Sequence, residues 1–191
     1  TLFHEFGHGL HGLLSRVKYP RLSGTSVLRD FVEFPSQVYE NWLMQPQILK
    51  EFALHAETGE PMPDALIEKI LAAQTFNQGF TSVEYVSSAL VDLALHETID
   101  LDHLNFQAFE SKTLQSIQMP PAIGMRHRLP HFLHLFSSNS YASAYYVYMW
   151  AEVLDADGFD AFIEAGDIFA KEPAQKLYEH IYSAGNRQEP M

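Results

Sequence analysis

Apolar residues recur at helical spacing along nearly the whole of this chain, and no segment shows the apolar–polar alternation of a half-buried strand. That property confines the chain to an all-α, or mainly helical, architecture. Residues 2–17 read as the first helix despite Gly7, Gly9 and Gly12, each costing about 1 kcal/mol relative to alanine. Glycines in such number imply a helix pressed closely against a neighbour. Residues 18–25 (KYPRLSGT) form a loop, and residues 26–44 are helical again, with a kink expected at Pro35, which has no backbone proton to donate. Further helices are expected over 47–55, 64–75, 81–98 and 106–117. After a Pro- and Gly-containing loop over 118–130, helices are expected at 141–154, 159–165 and 173–184. A chain of 191 residues can bury one proper core, so a single domain spanning 1–191 is the expected organisation.

Within this frame the sharpest chemical signal is His4-Glu5-Phe6-Gly7-His8. At about 100° per residue, His4 and His8 stand about 40° apart and one helical turn along, so both imidazoles can grip one ion from the same face. Glu5 lies about 60° from His8, near enough to reach a metal-bound water without being a ligand. Zinc lowers the pKa of such a water towards about 7, and the carboxylate takes its proton. A catalytic zinc needs a third protein ligand and one open position. Continuation to H-E-x-x-H-x-x-G-x-x-H would require histidine at position 14, which is Leu14, so the third ligand must come from elsewhere. The next helical segment supplies Glu33, with Asp30 before it and Glu40 after it. Asp30 shares the Glu33 face and is expected to receive the outer N–H of a ligand histidine, fixing its tautomer. Carboxylates among Phe31, Val32 and Phe34 are costly to bury without a cation.

These residues also carry a resemblance. His4-Glu5-Phe6-Gly7-His8 with His11, Ser23-Gly24-Thr25, Asp30-Phe31-Val32-Glu33-Phe34-Pro35-Ser36-Gln37 and Glu40-Asn41-Trp42 resemble the M3 family of zinc oligopeptidases. The likeness is strongest to the peptidyl-dipeptidase (dipeptidyl carboxypeptidase) branch, beside thimet oligopeptidase, neurolysin and oligopeptidase A. It continues through Asn77-Gln78-Gly79-Phe80, Met125-Arg126-His127-Arg128 and Tyr145-Tyr146 to Glu152. The resemblance implies a zincin-type helical catalytic portion in which His4, His8 and Glu33 bind one zinc ion. It makes Glu5 the general base and proton shuttle, with Asp30 and Glu40 as supporting carboxylates. It further implies short peptide substrates, release of C-terminal dipeptides, and a channel that the rest of a longer parent chain completes.

A second constellation joins His134 to Tyr141, Tyr145, Tyr146 and Tyr148. Tyr141 and Tyr148 are seven positions apart and would share a face if the segment were one helix. Taken alone, a tyrosine-rich helix is core or interface. The resemblance instead makes His134 a substrate-binding histidine and gives Tyr141 and Tyr148 the stabilisation of the oxyanion formed during hydrolysis, with Tyr145 beside them. The sequence departs from the family in the intervening loop, where Ser137-Ser138-Asn139-Ser140 replaces glycines.

Plainer readings compete at several positions. His11 falls on the His4 face but suits packing better than a fourth ligand, because catalytic zinc keeps a position open. His127, His131 and His134 lack the paired carboxylates of a second metal site. Arg126 and Arg128 can fork onto a peptide carboxylate or pair with acids of the chain itself. The acids near Asp155–Asp160 read as a solvated helix junction. Glu5-Phe6-Gly7-His8 is also an E-x-x-H, but a di-iron bundle needs a second one and none exists. A formal charge of −12 argues against nucleic acid or an anionic membrane surface as partner. No apolar run approaches the roughly 18 residues of a membrane span. No signal peptide is visible, which sets the cytoplasm as the expected compartment. The opening Thr1-Leu2-Phe3-His4 runs straight into the motif, so the chain is expected to be a piece of a larger protein. The leading function is a zinc peptidase acting on oligopeptides. The alternatives are an oligo-endopeptidase of the same family and a zinc-binding fragment without activity.

Overall fold

The computed structural model describes residues 1–189. In chain order its helices are α1 (Leu2–Leu13), α2 (Arg29–Val32), α3 (Phe34–Leu43), α4 (Pro46–Phe52), α5 (Asp64–Ala73), α6 (Gln78–Glu97), α7 (Phe106–Ser116), α8 (Leu133–Phe136), α9 (Val147–Glu164) and α10 (Lys171–Leu177). A π-helical turn, Tyr178–Tyr182, continues α10. Among the described residues the β content is one isolated bridge, between Leu54 and Pro61. The chain is all-α, as the periodicity requires. No described helix is long and apolar enough to cross a membrane.

The chain forms two compact units, one comprising Thr1–Gln74 with the described residues from Tyr148 onward, the other Thr75–Val147. In the first unit Phe34, Val38, Ala151, Phe159 and Phe162 form the core, with Trp42, Leu154, Ile168 and Leu177 packed around it. Trp42 meets Phe159 and Phe162 edge-on at 4.8 and 4.9 Å, and its indole N–H donates to the Ile168 carbonyl at 2.9 Å. Helix α1 lies along α3. A Cβ at Gly7 would stand 2.6 Å from the Ser36 Cα, so only glycine permits this approach. Here is the neighbour that the glycine-rich helix anticipated. Gly9, by contrast, faces open space.

Several helix boundaries differ from the sequence expectation, the first helix ending at Leu13 rather than at residue 17, and three of the differences bear on the site. The kinked helix over 26–44 is two helices, α2 and α3, with Pro35 in the first turn of α3. A proline ring collides with the carbonyl four residues back and is tolerated only in a first turn, so the chain breaks just ahead of it. Glu33 is left at the junction. The expected break near Asp155–Asp160 is absent, and α9 runs through it without interruption. Gly158 sits there against the Phe34 ring, and the buried Asp155 accepts from Asn41 Nδ2 at 2.9 Å. Finally, the helix expected from residue 141 starts only at Val147.

In the second unit α6 packs on α7, and Leu129, Phe132, Leu135 and Tyr145 are buried. Glu110 on α7 is buried as well. It accepts from the Leu129 backbone at 2.7 Å and from Arg128 Nε at 2.5 Å, fastening the end of the 118–130 loop to α7. A buried carboxylate is stable only with such donors.

Candidate metal centre

Helix α1 presents His4 and His8 one turn apart, with ring centroids 4.8 Å apart and the planes nearly perpendicular. Because Gly7 brings α1 onto α3, both rings meet Glu33, whose carboxylate is almost wholly buried. His4 Nε2 stands 3.3 Å and His8 Nε2 3.2 Å from the same oxygen, Glu33 Oε2. One ligand atom from each of the three residues lies within 4.8 Å of the others. Tetrahedral zinc with bonds of about 2.0–2.1 Å separates its ligand atoms by about 3.3 Å. The donor spacing and the N,N,O donor set therefore fit one zinc-like ion. Among the described residues no other group of three potential ligands converges in this way.

The groups behind the ligands fit the same reading. Glu40 Oε1 lies 2.6 Å from His4 Nδ1, the nitrogen that does not face Glu33. A carboxylate there holds the ring orientation and leaves Nε2 for a cation. Ser36 Oγ donates to the Glu33 carbonyl at 2.7 Å, bracing the α2–α3 junction. Glu33 holds the His4 pKa above its ordinary value against the opposing effect of burial, and Glu40 adds to the rise. The pair of carboxylates thus draws positive charge to this point, a proton if no metal is supplied. His11, one turn beyond His8, is fully buried, with neither ring nitrogen hydrogen-bonded. Burial, reinforced by His8, pushes its pKa down to about 4, so it is neutral. Glu5, which follows His4 on α1, is exposed.

A second cluster belongs wholly to the Thr75–Val147 unit. His134, at the start of the short α8, lies 5.9 Å from the Tyr141 ring and 5.4 Å from Tyr145, edge-on to both. The His127 ring lies 5.5 Å from that of His134, tilted by 41°, and Phe132 meets Tyr145 at 4.6 Å. Burial lowers the His127 pKa, with His134 and Arg126 contributing, and raises that of Tyr145.

The model of peptidase family M3 matches residues 1–191, the whole chain. This chain belongs to peptidase family M3. Its relatives include the dipeptidyl carboxypeptidase of Escherichia coli, 41% identical over 191 residues, covering 99% of this chain and 28% of the relative. Oligopeptidase A of the same organism is 41% identical over 196 residues, covering 100% of this chain and 28% of the relative. A thimet-like oligopeptidase of Dictyostelium discoideum is 30% identical over 190 residues, covering 98% of this chain and 28% of the relative. The chain thus spans little more than a quarter of the length of these relatives.

For a member of family M3, the structure distributes the residues singled out in the sequence unevenly. It brings together His4, His8, Glu33 and Glu40. It does not bring Asp30 to either ligand histidine. Glu40 has the outer nitrogen of His4, the outer nitrogen of His8 is unbonded, and Asp30 lines a separate cavity with Phe31, Phe34 and Trp150. The separation follows the break at Glu33, which ends the continuous helical face that Asp30 and Glu33 were expected to share. Tyr141 and Tyr148 do not share a helix either, since 141–146 is irregular and Tyr148 lies in the first turn of α9. Arg128 is engaged by Glu110, whereas Arg126 is exposed. Sequence reasoning passed over Gln37, whose side-chain amide donates to the Tyr148 carbonyl at 3.2 Å, and over Asp92 on α6. A lone acid between Val91 and Leu93 was the available signal for Asp92.

Proposed function

We propose that this chain is the zinc-binding catalytic portion of a metallopeptidase that hydrolyses oligopeptides and releases C-terminal dipeptides. The observation that carries the reading is the convergence of His4 Nε2 and His8 Nε2 on one oxygen of Glu33, at 3.3 and 3.2 Å, with one ligand atom of each residue within 4.8 Å of the others. Zinc held there supplies Lewis-acid polarisation of an attacking water and of the scissile carbonyl. The chain's own residues do the rest. Glu5 takes the proton of the attacking water as the new C–O bond forms, and passes it to the amine that leaves when the C–N bond breaks. Glu40 keeps the His4 ring aligned. His134, Tyr141, Tyr145 and Tyr148 are assigned to substrate by resemblance, with the phenols of Tyr141 and Tyr148 donating to the developing oxyanion. Arg126 is the candidate for the substrate's terminal carboxylate, since it is exposed where Arg128 is engaged.

Two observations favour neighbouring readings. The identity to oligopeptidase A equals that to dipeptidyl carboxypeptidase, at 41%, which supports internal cleavage as the alternative. The coverage of 28% of those relatives supports a zinc-binding piece that needs further chain for turnover. The test is zinc titration followed by assay with internally quenched peptides. One bound zinc per chain, lost in Glu33→Ala, with dipeptide release, is the expected result. Stoichiometric zinc in Glu33→Ala would overturn the ligand assignment. Zinc binding without turnover would favour the inactive piece, and internal cleavage products would favour the endopeptidase.

A further inference from the structure

Asp92 is the most completely buried acid of the second unit, and its partners are unusual. Its Oδ1 accepts from the Ser143 backbone N–H at 2.9 Å, and its Oδ2 accepts from the Tyr145 backbone N–H at 2.9 Å. His96, one turn along α6, adds a contact of 2.8 Å from Nδ1 to Oδ1. Both oxygens are thus committed to the segment that carries Tyr141 and Tyr145. Ser143 is held at φ +58°, a left-handed conformation that a serine adopts only where its surroundings impose it. The carbonyl of Tyr145 is taken too, by the hydroxyl of Tyr85, seven residues before Asp92 on the same helix. Tyr85 and Tyr145 also pack ring to ring at 5.1 Å. Two side chains of α6 therefore fix both polar groups of the Tyr145 backbone.

Resting on the substrate role proposed for His134 and the tyrosines, we infer that Asp92 is a positioning residue for peptide hydrolysis. It imposes the irregular backbone at 141–146 that sets Tyr141 and Tyr145 against His134, and Tyr85 secures the same segment from the carbonyl side. Asp92 touches no substrate. Its effect passes through the tyrosines, so its loss belongs in kcat, where donors to a developing oxyanion act, rather than in ground-state binding. Asparagine at this position keeps the shape but points an N–H₂ at a backbone N–H, which breaks one of the two bonds.

The experiment compares the zinc-loaded chain with Asp92→Asn, Tyr141→Phe and the double variant, following kcat, KM and backbone amide exchange. In Asp92→Asn we expect unchanged zinc content and helical circular dichroism, a fall in kcat of about tenfold to a hundredfold, and KM within about threefold. The Ser143 and Tyr145 amides should exchange at least about tenfold faster. Adding Tyr141→Phe should lower kcat by no more than about twofold further, because both changes act through the same ring. Full kcat in Asp92→Asn, or losses that multiply in the double variant, would overturn the inference. Unchanged exchange of the two amides overturns it whether or not the chain turns over peptide. A Tyr141→Phe variant with full kcat sinks the role given to Tyr141 instead, and Asp92 is then decided by its own kcat and exchange readouts. Where Asp92→Asn does not fold, Tyr85→Phe removes only the hydroxyl on the Tyr145 carbonyl, and the same two outcomes apply.

Discussion

In the first unit, the metal-type cluster stands on regular helix: His4 and His8 are one turn apart on α1, with Glu33 and Glu40 at the head and on the face of α3. In the second, the histidine–tyrosine cluster stands largely on backbone that is neither helix nor strand, tied down by carboxylates of α6 and α7. The first arrangement is built from side-chain periodicity and one close helix contact. The second is built from backbone N–H groups that have left the helical pattern to bond buried acids. A cluster of the first kind follows from spacing in the sequence, whereas one of the second kind depends on partners some fifty residues away along the chain, as Asp92 is from Ser143.

The largest expected effect probes the first cluster at its chemical end. Glu5→Gln should retain zinc yet lose about 10²–10⁴ in turnover, because the attacking water loses its proton acceptor. Peptide hydrolysis measured beside metal analysis checks this, and wild-type turnover would break the link between the helical motif and the chemistry. Next comes Tyr148→Phe, for which kcat should fall by about 10² or somewhat more, with a smaller change in KM. An effect confined to KM would make the phenol a binding group and narrow its role to substrate capture.

The contrast in stability is smaller and falls on the first unit. His11 is neutral when folded, with its pKa near 4, whereas in the unfolded chain it takes a proton near 6.5. Stability from this source is complete above pH 6.5 and is lost as pH falls towards 4, by up to about 3 kcal/mol. His4 has the opposite sign. Its raised pKa stabilises the metal-free fold below pH 6.5, and that contribution disappears as pH rises through the folded value. Thermal midpoints of the metal-free chain, compared with those of His11→Asn, isolate the His11 share. An unchanged pH profile in that variant would show that burial of His11 carries no such penalty. The smallest expected effects come from two glycines on one helix. Gly7→Ala must push α1 off Ser36 and should cost about 1–3 kcal/mol together with zinc affinity. Gly9→Ala meets open space and should stabilise by up to about 1 kcal/mol. Equal behaviour of the two would show that the α1–α3 approach is not what assembles the ligands.

The all-α class and most helix bodies were legible because burial of one apolar face imposes a period of 3.6 residues wherever a helix packs. His4 and His8 were legible because they lie on one such period, whereas Glu33 was singled out from Asp30 and Glu40 in the next acidic helical segment by the resemblance to family M3. What escaped were ends and interruptions. Of the two carboxylates expected to support the histidines, Glu40 reaches His4, whereas the junction at Glu33 leaves Asp30 apart. The close fit of Gly158 on Phe34 fused two expected helices into α9. The bonds from Asp92 removed the expected first turn of the tyrosine segment.

By itself, then, the sequence determined which residue types stand on which helical face, and so set His4 and His8 together on one face of α1. Only the tertiary structure decided which carboxylate backs His4, where α9 begins and how the tyrosine segment is shaped. Periodicity is a local property of neighbouring residues. A buried carboxylate takes whichever N–H groups the packed fold brings to it, at whatever distance along the chain, because leaving it without them costs more than breaking a helical turn.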